Sequence, residues 1–87
     1  MLPIPPLTEE RRMEFTKLAR SKGEEAKISV RNARRDSNGL VKSTEKDGDL
    51  PEDDAKKALD RIQKVTDKYV SDIDELVSKK EKEILEI

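Results

Sequence analysis

Eighty-seven residues make at most one small domain, with a core that is marginal for its size. Charged residues are 45% of the chain and hydrophobic ones 32%, on the border between a helical bundle and disorder. The absence of Cys and His excludes disulfides, the usual zinc sites and imidazole acid–base chemistry, and no apolar run approaches the roughly 18 residues of a membrane span.

The net charge of −1 conceals an asymmetry. Residues 8–42 carry ten Lys/Arg against six Asp/Glu, whereas residues 43–87 carry nine against fourteen. Either the first half faces an anion, or two segments of opposite sign attract each other.

Residues 1–7 hold Pro3, Pro5 and Pro6, which fix φ and remove donors, so this stretch reads as an extended hinge remnant. It is too short and too proline-rich for a signal peptide, which points to the cytoplasm or an organelle interior. The hairpin proper spans residues 8–87. Thr8 is a good N-cap, and Glu9 and Glu10 follow in the first turn, where carboxylates favour the helix dipole. The spacing predicts a helix over about 9–46. On a wheel with Arg20 at zero, Phe15, Leu18, Ala26, Val30, Ala33, Leu40 and Val41 fall between about 160° and 300°. Lys17, Arg20, Lys27, Arg31, Arg34, Arg35 and Lys42 fall between about −40° and +60°. The expectation is therefore a basic stripe opposite the packing face, interrupted only by Glu9 and Glu24. Gly23 and Gly39 are weak points, each costing about 1 kcal/mol relative to Ala, and helix or loop at Gly39 is left open.

Residues 47–51 form a turn by composition. Pro51 with Glu52, Asp53 and Asp54 then opens a second helix over about 52–86. In it Ala55, Leu59, Ile62, Thr66, Tyr69, Ile73, Leu76, Lys80, Glu83 and Ile87 follow 4-3 spacing, and Val65, Val70, Val77 and Ile84 widen the stripe. The fold class is all-α: a long antiparallel two-helix hairpin, incomplete as a three-helix bundle because its apolar faces are too wide for one neighbour. A third helix supplied in trans, or a second copy of the chain in a dimer, would fill the gap.

At Pro5-Pro6-Leu7-Thr8-Glu9-Glu10-Arg11-Arg12 and Val30-Arg31-Asn32-Ala33-Arg34-Arg35-Asp36 the sequence resembles ribosome recycling factor. The resemblance continues through Glu52-Asp53-Asp54, Gln63-Lys64-Val65-Thr66-Asp67 and Lys80-Glu81-Lys82-Glu83-Ile84-Leu85, and so covers essentially the whole chain. It implies a hinge and the last two helices of a three-helix bundle, without the first helix and without the small β domain. It further implies a translation factor that binds large-subunit rRNA and, with a translocase GTPase, disassembles post-termination ribosomes. The family's contact arginines match Arg31 and Arg34, and a chain without the β domain is expected to bind without splitting ribosomes. Pro51, where the family commonly has a serine cap, and Gly39 depart from the pattern and put helix-end geometry in question.

Arg is suited to planar, bidentate contact with phosphate, so Arg31, Arg34 and Arg35 are the leading RNA-binding candidates, with Arg34 the deepest anchor. Arg20 and Lys27 extend the stripe and add nonspecific attraction through counterion release. Asn32 either orients a guanidinium or contacts a sugar, or is simply a polar flank. Arg11 and Arg12 either bind rRNA or brace the hinge. The blander reading of Arg31 and Arg34 is an exposed network with Asp36, Lys27 and Glu24, worth a fraction of a kcal/mol per pair. Paired acids such as Asp53/Asp54 and Asp72/Asp74 read as solvated helix faces, so neither catalysis, a cofactor nor a metal is expected. A membrane-surface helix is disfavoured by a face poor in aromatics. The competing function is a structural helical module that self-associates or pairs with another helix.

Overall fold

A computed structural model describes residues 8–86. The hinge expected at Pro3, Pro5 and Pro6 and the stripe position at Ile87 lie outside those residues. The described chain forms two helices, α1 (Glu9–Lys46) and α2 (Glu52–Glu86), packed against each other as a hairpin. Thr8 opens α1 from extended backbone, and its Oγ1 accepts a hydrogen bond from the Arg11 amide at 3.1 Å. This satisfies one of the helix's orphan donors.

The turn uses a left-handed glycine. Gly48 has φ +81°, its amide donates to the Glu45 carbonyl at 3.0 Å, and the Asp49 amide donates to the Thr44 carbonyl at 3.1 Å. That pair of bonds is a Schellman closure, which absorbs terminal carbonyls of α1 and reverses the chain. Pro51 lies one position before α2 rather than inside it, and its carbonyl accepts the Ala55 amide at 2.9 Å. Glu52, Asp53 and Asp54 occupy the first turn, where the dipole favours them.

The last turn of α2 carries no basic residue of its own. Arg12 of α1 fills the role: its Nη1 donates to the Leu85 carbonyl at 2.8 Å and ties the two open ends of the hairpin together.

The seam is thin and built on small side chains. Gly23, Ala55 and Thr66 are its buried residues, and no large side chain among the described residues is fully buried. A Cβ added to Gly23 would stand 2.5 Å from Val77 Cγ2, so this glycine is required for close approach. Gly39 is different: α1 runs through it unbroken, and a Cβ there would meet nothing within 4 Å. Flanking helix on both sides outweighs the local cost of that glycine.

The direction of the seam corrects the wheel. Arg12, Thr16, Ala19, Gly23, Ala26, Lys27, Val30, Arg34, Asn38 and Val41 are half-buried or buried positions along α1. They centre near 300° on the wheel, while the apolar arc centres near 230°. One neighbour cannot cover an arc that wide, and α2 takes one edge of it. The other edge stays exposed, including Phe15 at 38%, Leu18 at 54% and Leu40 at 68%. Lys27 and Arg34, expected opposite the core, lie instead at its margin. On α2 the seam passes through Ile62, Thr66, Val70, Ile73, Val77 and Ile84, whereas Tyr69 and Leu76, expected in it, are 53% and 57% exposed.

These uncovered side chains make an open apolar groove along one side of the hairpin. Two hollows mark it: one of about 480 Å³ between Val30, Ala33, Ile62, Val65 and Tyr69, and one of about 230 Å³ between Ala19, Ala26, Ile73, Leu76 and Val77.

Candidate nucleic-acid interface

The basic residues of α1 divide into those engaged by α2 and those left to solvent. Arg20 Nε donates to Glu81 Oε1 at 2.6 Å. That hydrogen bond, reinforced by the carboxylate's charge, raises the guanidinium pKa above its ordinary value. Lys27 Nζ meets Glu24 Oε1 of its own helix at 2.8 Å and Asp74 Oδ1 of α2 at 2.9 Å, with its side chain only 15% exposed. Hydrogen bonds to Glu24 and Asp74 likewise raise the ammonium pKa.

Arg34 is half-buried and treated differently. Its Nη1 donates to Gln63 Oε1 at 3.4 Å, while Gln63 Nε2 donates to Asp67 Oδ1 at 2.8 Å. The amide orientation follows from its neighbours, since a flipped amide would set NH₂ against guanidinium and oxygen against carboxylate. Arg34 Nε is buried without a partner. Its stem also borders the larger hollow of the groove.

Arg31 and Arg35 are exposed on the outward side of α1, the latter 4.0 Å from Asp36 of its own helix. Asn32 is exposed beside them. Arg31, Arg34 and Arg35 lie within about one turn, so three guanidinium groups project from a short length of rigid helix. Of the blander network, the Lys27–Glu24 pair is present, but Asp36 pairs with Arg35, and among the described residues Arg31 and Arg34 have no carboxylate within 4.0 Å. Arg11 pairs with Glu14 at 3.7 Å and stands 5.6 Å above the Phe15 ring, and Arg12 is held by the Leu85 carbonyl.

Reading the sequence overlooked the acceptors on α2. Arg20, Lys27 and Arg34 are spaced by seven, and so are Asp67, Asp74 and Glu81. In an antiparallel pair the two series meet in reverse order, which makes a three-rung ladder. The signal was present in the spacing, but it needed the helix pairing to become visible.

The arrangement offers cationic donors to an anion and little else. Among the described residues no group of three metal-ligating side chains gathers, and no helix is long and apolar enough to cross a membrane. Comparison with known proteins gives this surface a setting. The family model described as "Ribosome recycling factor" matches residues 1–85. The ribosome-recycling factor of Halalkalibacterium halodurans is 54% identical over 84 residues, covering 97% of this chain and 45% of the relative. That of Paraburkholderia phymatum is 54% identical and that of Anaeromyxobacter sp. (strain K) 55% identical, each over 86 residues, 99% of this chain and 46% of the relative. The chain thus spans about half the length of the curated relatives it matches.

Proposed function

Because the chain belongs to the ribosome recycling factor family, we propose that it binds large-subunit ribosomal RNA through the arginine turn of α1. The observation that carries this reading is the state of Arg31, Arg34 and Arg35: three guanidinium groups on one turn, none of them in an ion pair with α2. They fall on the motif through which the sequence resembles the family. Guanidinium forks match phosphate oxygens in geometry as well as charge.

Arg34 is the deepest anchor, and Arg31 and Arg35 flank it. Asn32 lies within reach of the same backbone stretch. Arg20 and Lys27 direct their charge at Glu81, Asp74 and Glu24, so their share of the attraction is smaller than a uniform stripe would give. Arg12 serves the hairpin by closing its open end, and Arg11 adds to the charge near the hinge. The binding is electrostatic and involves no catalysis, cofactor or metal. Its place is the cytoplasm, with the ribosomes.

In the whole protein this segment supplies the rRNA-binding part of a factor that, with a translocase GTPase, disassembles ribosomes after termination. The apolar groove takes the first helix of the family's bundle. A second copy of the chain is the other occupant, since Tyr69 and Leu76 stand exposed to any apolar partner. Light scattering separates these readings: a dimer supports the second copy, while a monomer that gains helicity when a peptide of the family's first helix is added supports the bundle helix.

The main test is binding to purified large ribosomal subunits across a salt series. Arg31→Ala with Arg34→Ala should weaken binding and flatten the dependence of log K on log salt by about two charges. No binding at low salt, or the same affinity and slope in the double variant, would sink the rRNA reading.

A further inference from the structure

The ladder between α1 and α2 has two rungs of one kind and a third of another. At the first, Arg20 pairs with Glu81, and at the second, Lys27 pairs with Asp74. Continuing by seven residues on each helix brings Arg34 opposite Asp67. The repeat predicts a third ion pair there, but Gln63 intervenes. It lies one turn before Asp67 on α2, its amide nitrogen binds that carboxylate, and its amide oxygen faces Arg34.

The substitution of acceptors changes the charge of the rung. At the first two rungs a cation and an anion meet directly, and their fields largely cancel. At the third the carboxylate is engaged by a neutral amide, and the guanidinium leans at 3.4 Å on a neutral oxygen. Gln–Asp pairs four apart also support the helix locally, so the intermediary is itself held in place. Arg34 thereby has an uncharged neighbour where the other two rungs place a countercharge.

We propose that Gln63 is the positioning residue of the arginine turn: by occupying Asp67 and giving Arg34 a neutral partner, it keeps the third rung cationic for an RNA phosphate. This rests on the reading of Arg34 as an rRNA contact. Gln63 touches no RNA in this scheme and acts only through Arg34. Without it, Asp67 stands in the register from which Asp74 and Glu81 capture their cations, and it would capture Arg34 in the same way.

The experiment compares variants of the 87-residue chain for binding to large ribosomal subunits over a salt series, with helicity followed by circular dichroism. Gln63→Ala should weaken binding about fivefold and reduce the salt slope by about one, as Arg34→Ala does. Asp67→Asn added to Gln63→Ala should restore both, because the competing carboxylate is gone. A merely structural glutamine would not be rescued by removing a second polar group. Gln63→Glu, which puts a carboxylate directly on Arg34, should reproduce the loss and covers the case in which Gln63→Ala fails to fold. Wild-type affinity in Gln63→Glu, or loss in Gln63→Ala without rescue by Asp67→Asn, overturns the proposal. If Gln63→Glu is silent while Arg34→Ala weakens binding, only the positioning role falls. If Arg34→Ala is silent as well, Arg34 is not the contact and the underlying reading falls with it.

Discussion

The two long edges of the interhelical seam are built on opposite principles. One carries directional, charge-assisted contacts at seven-residue intervals, from Arg20–Glu81 to Arg34–Gln63–Asp67. The other is the apolar groove, where Val65, Tyr69 and Leu76 remain about half exposed. Exposed ion pairs contribute little free energy each, but their partners are specific. Apolar contacts contribute more and specify less. The ladder edge therefore sets register and direction, the central seam supplies most of the cohesion, and the groove edge leaves apolar surface uncovered.

The sharpest way to break this comparison is through the seam between the edges. Gly23→Val should destabilise the hairpin by about 2–3 kcal/mol, because the branched side chain meets stiff Val77 with nowhere to turn. Thermal melting followed at 222 nm measures it, and an unchanged midpoint would mean that the helices do not approach as described. Gly39→Ala is the control at the same residue type, outside the seam. It should stabilise by about 0.5–1 kcal/mol, since the added methyl meets open space and helix propensity improves.

Smaller effects sharpen the ladder side. Asp74→Asn should lower the melting midpoint slightly at low salt, and the difference from wild type should shrink in 1 M salt, where exposed charges are screened. A loss that persists in high salt would assign Asp74 a packing role instead. The pH dependence is subtler still. Lys27 has its pKa raised in the fold above an ordinary value of 10.5, so its stabilising contribution is whole below that value and fades as pH climbs through the raised one. Melting curves should show this contribution intact up to about pH 10 and a decline beyond it, weaker in Asp74→Asn. A Lys27 contribution that grows above pH 10.5 would contradict the linkage.

Much of this is legible in the sequence. The 4-3 spacing of Ala55, Leu59, Ile62 and Thr66, the Thr8 cap and the Pro51–Asp54 helix start gave two long helices and the all-α hairpin, because local propensity and periodicity act on neighbours in sequence. The direction of the seam was not legible. A broad arc such as that from Leu18 to Val41 permits a partner along either margin, and the choice of margin decides whether Lys27 and Arg34 face solvent or Asp74 and Gln63. Gly23 and Gly39 looked alike for the same reason: one is defined by Val77, which is distant in sequence, and the other by nothing at all. The arginine turn was found from residue chemistry and resemblance, while its support on α2 required the pairing of the helices.

The ladder also restricts how the hairpin can change in length. The residue numbers across each rung have a constant total, so a deletion of one residue between Arg20 and Lys27 would rotate everything beyond it by about 100°. That single event would misalign Lys27 with Asp74 and swing the arginine turn to another side of the molecule. Only matched changes of seven residues, made in both helices at facing positions, would leave rungs, seam and arginines in phase.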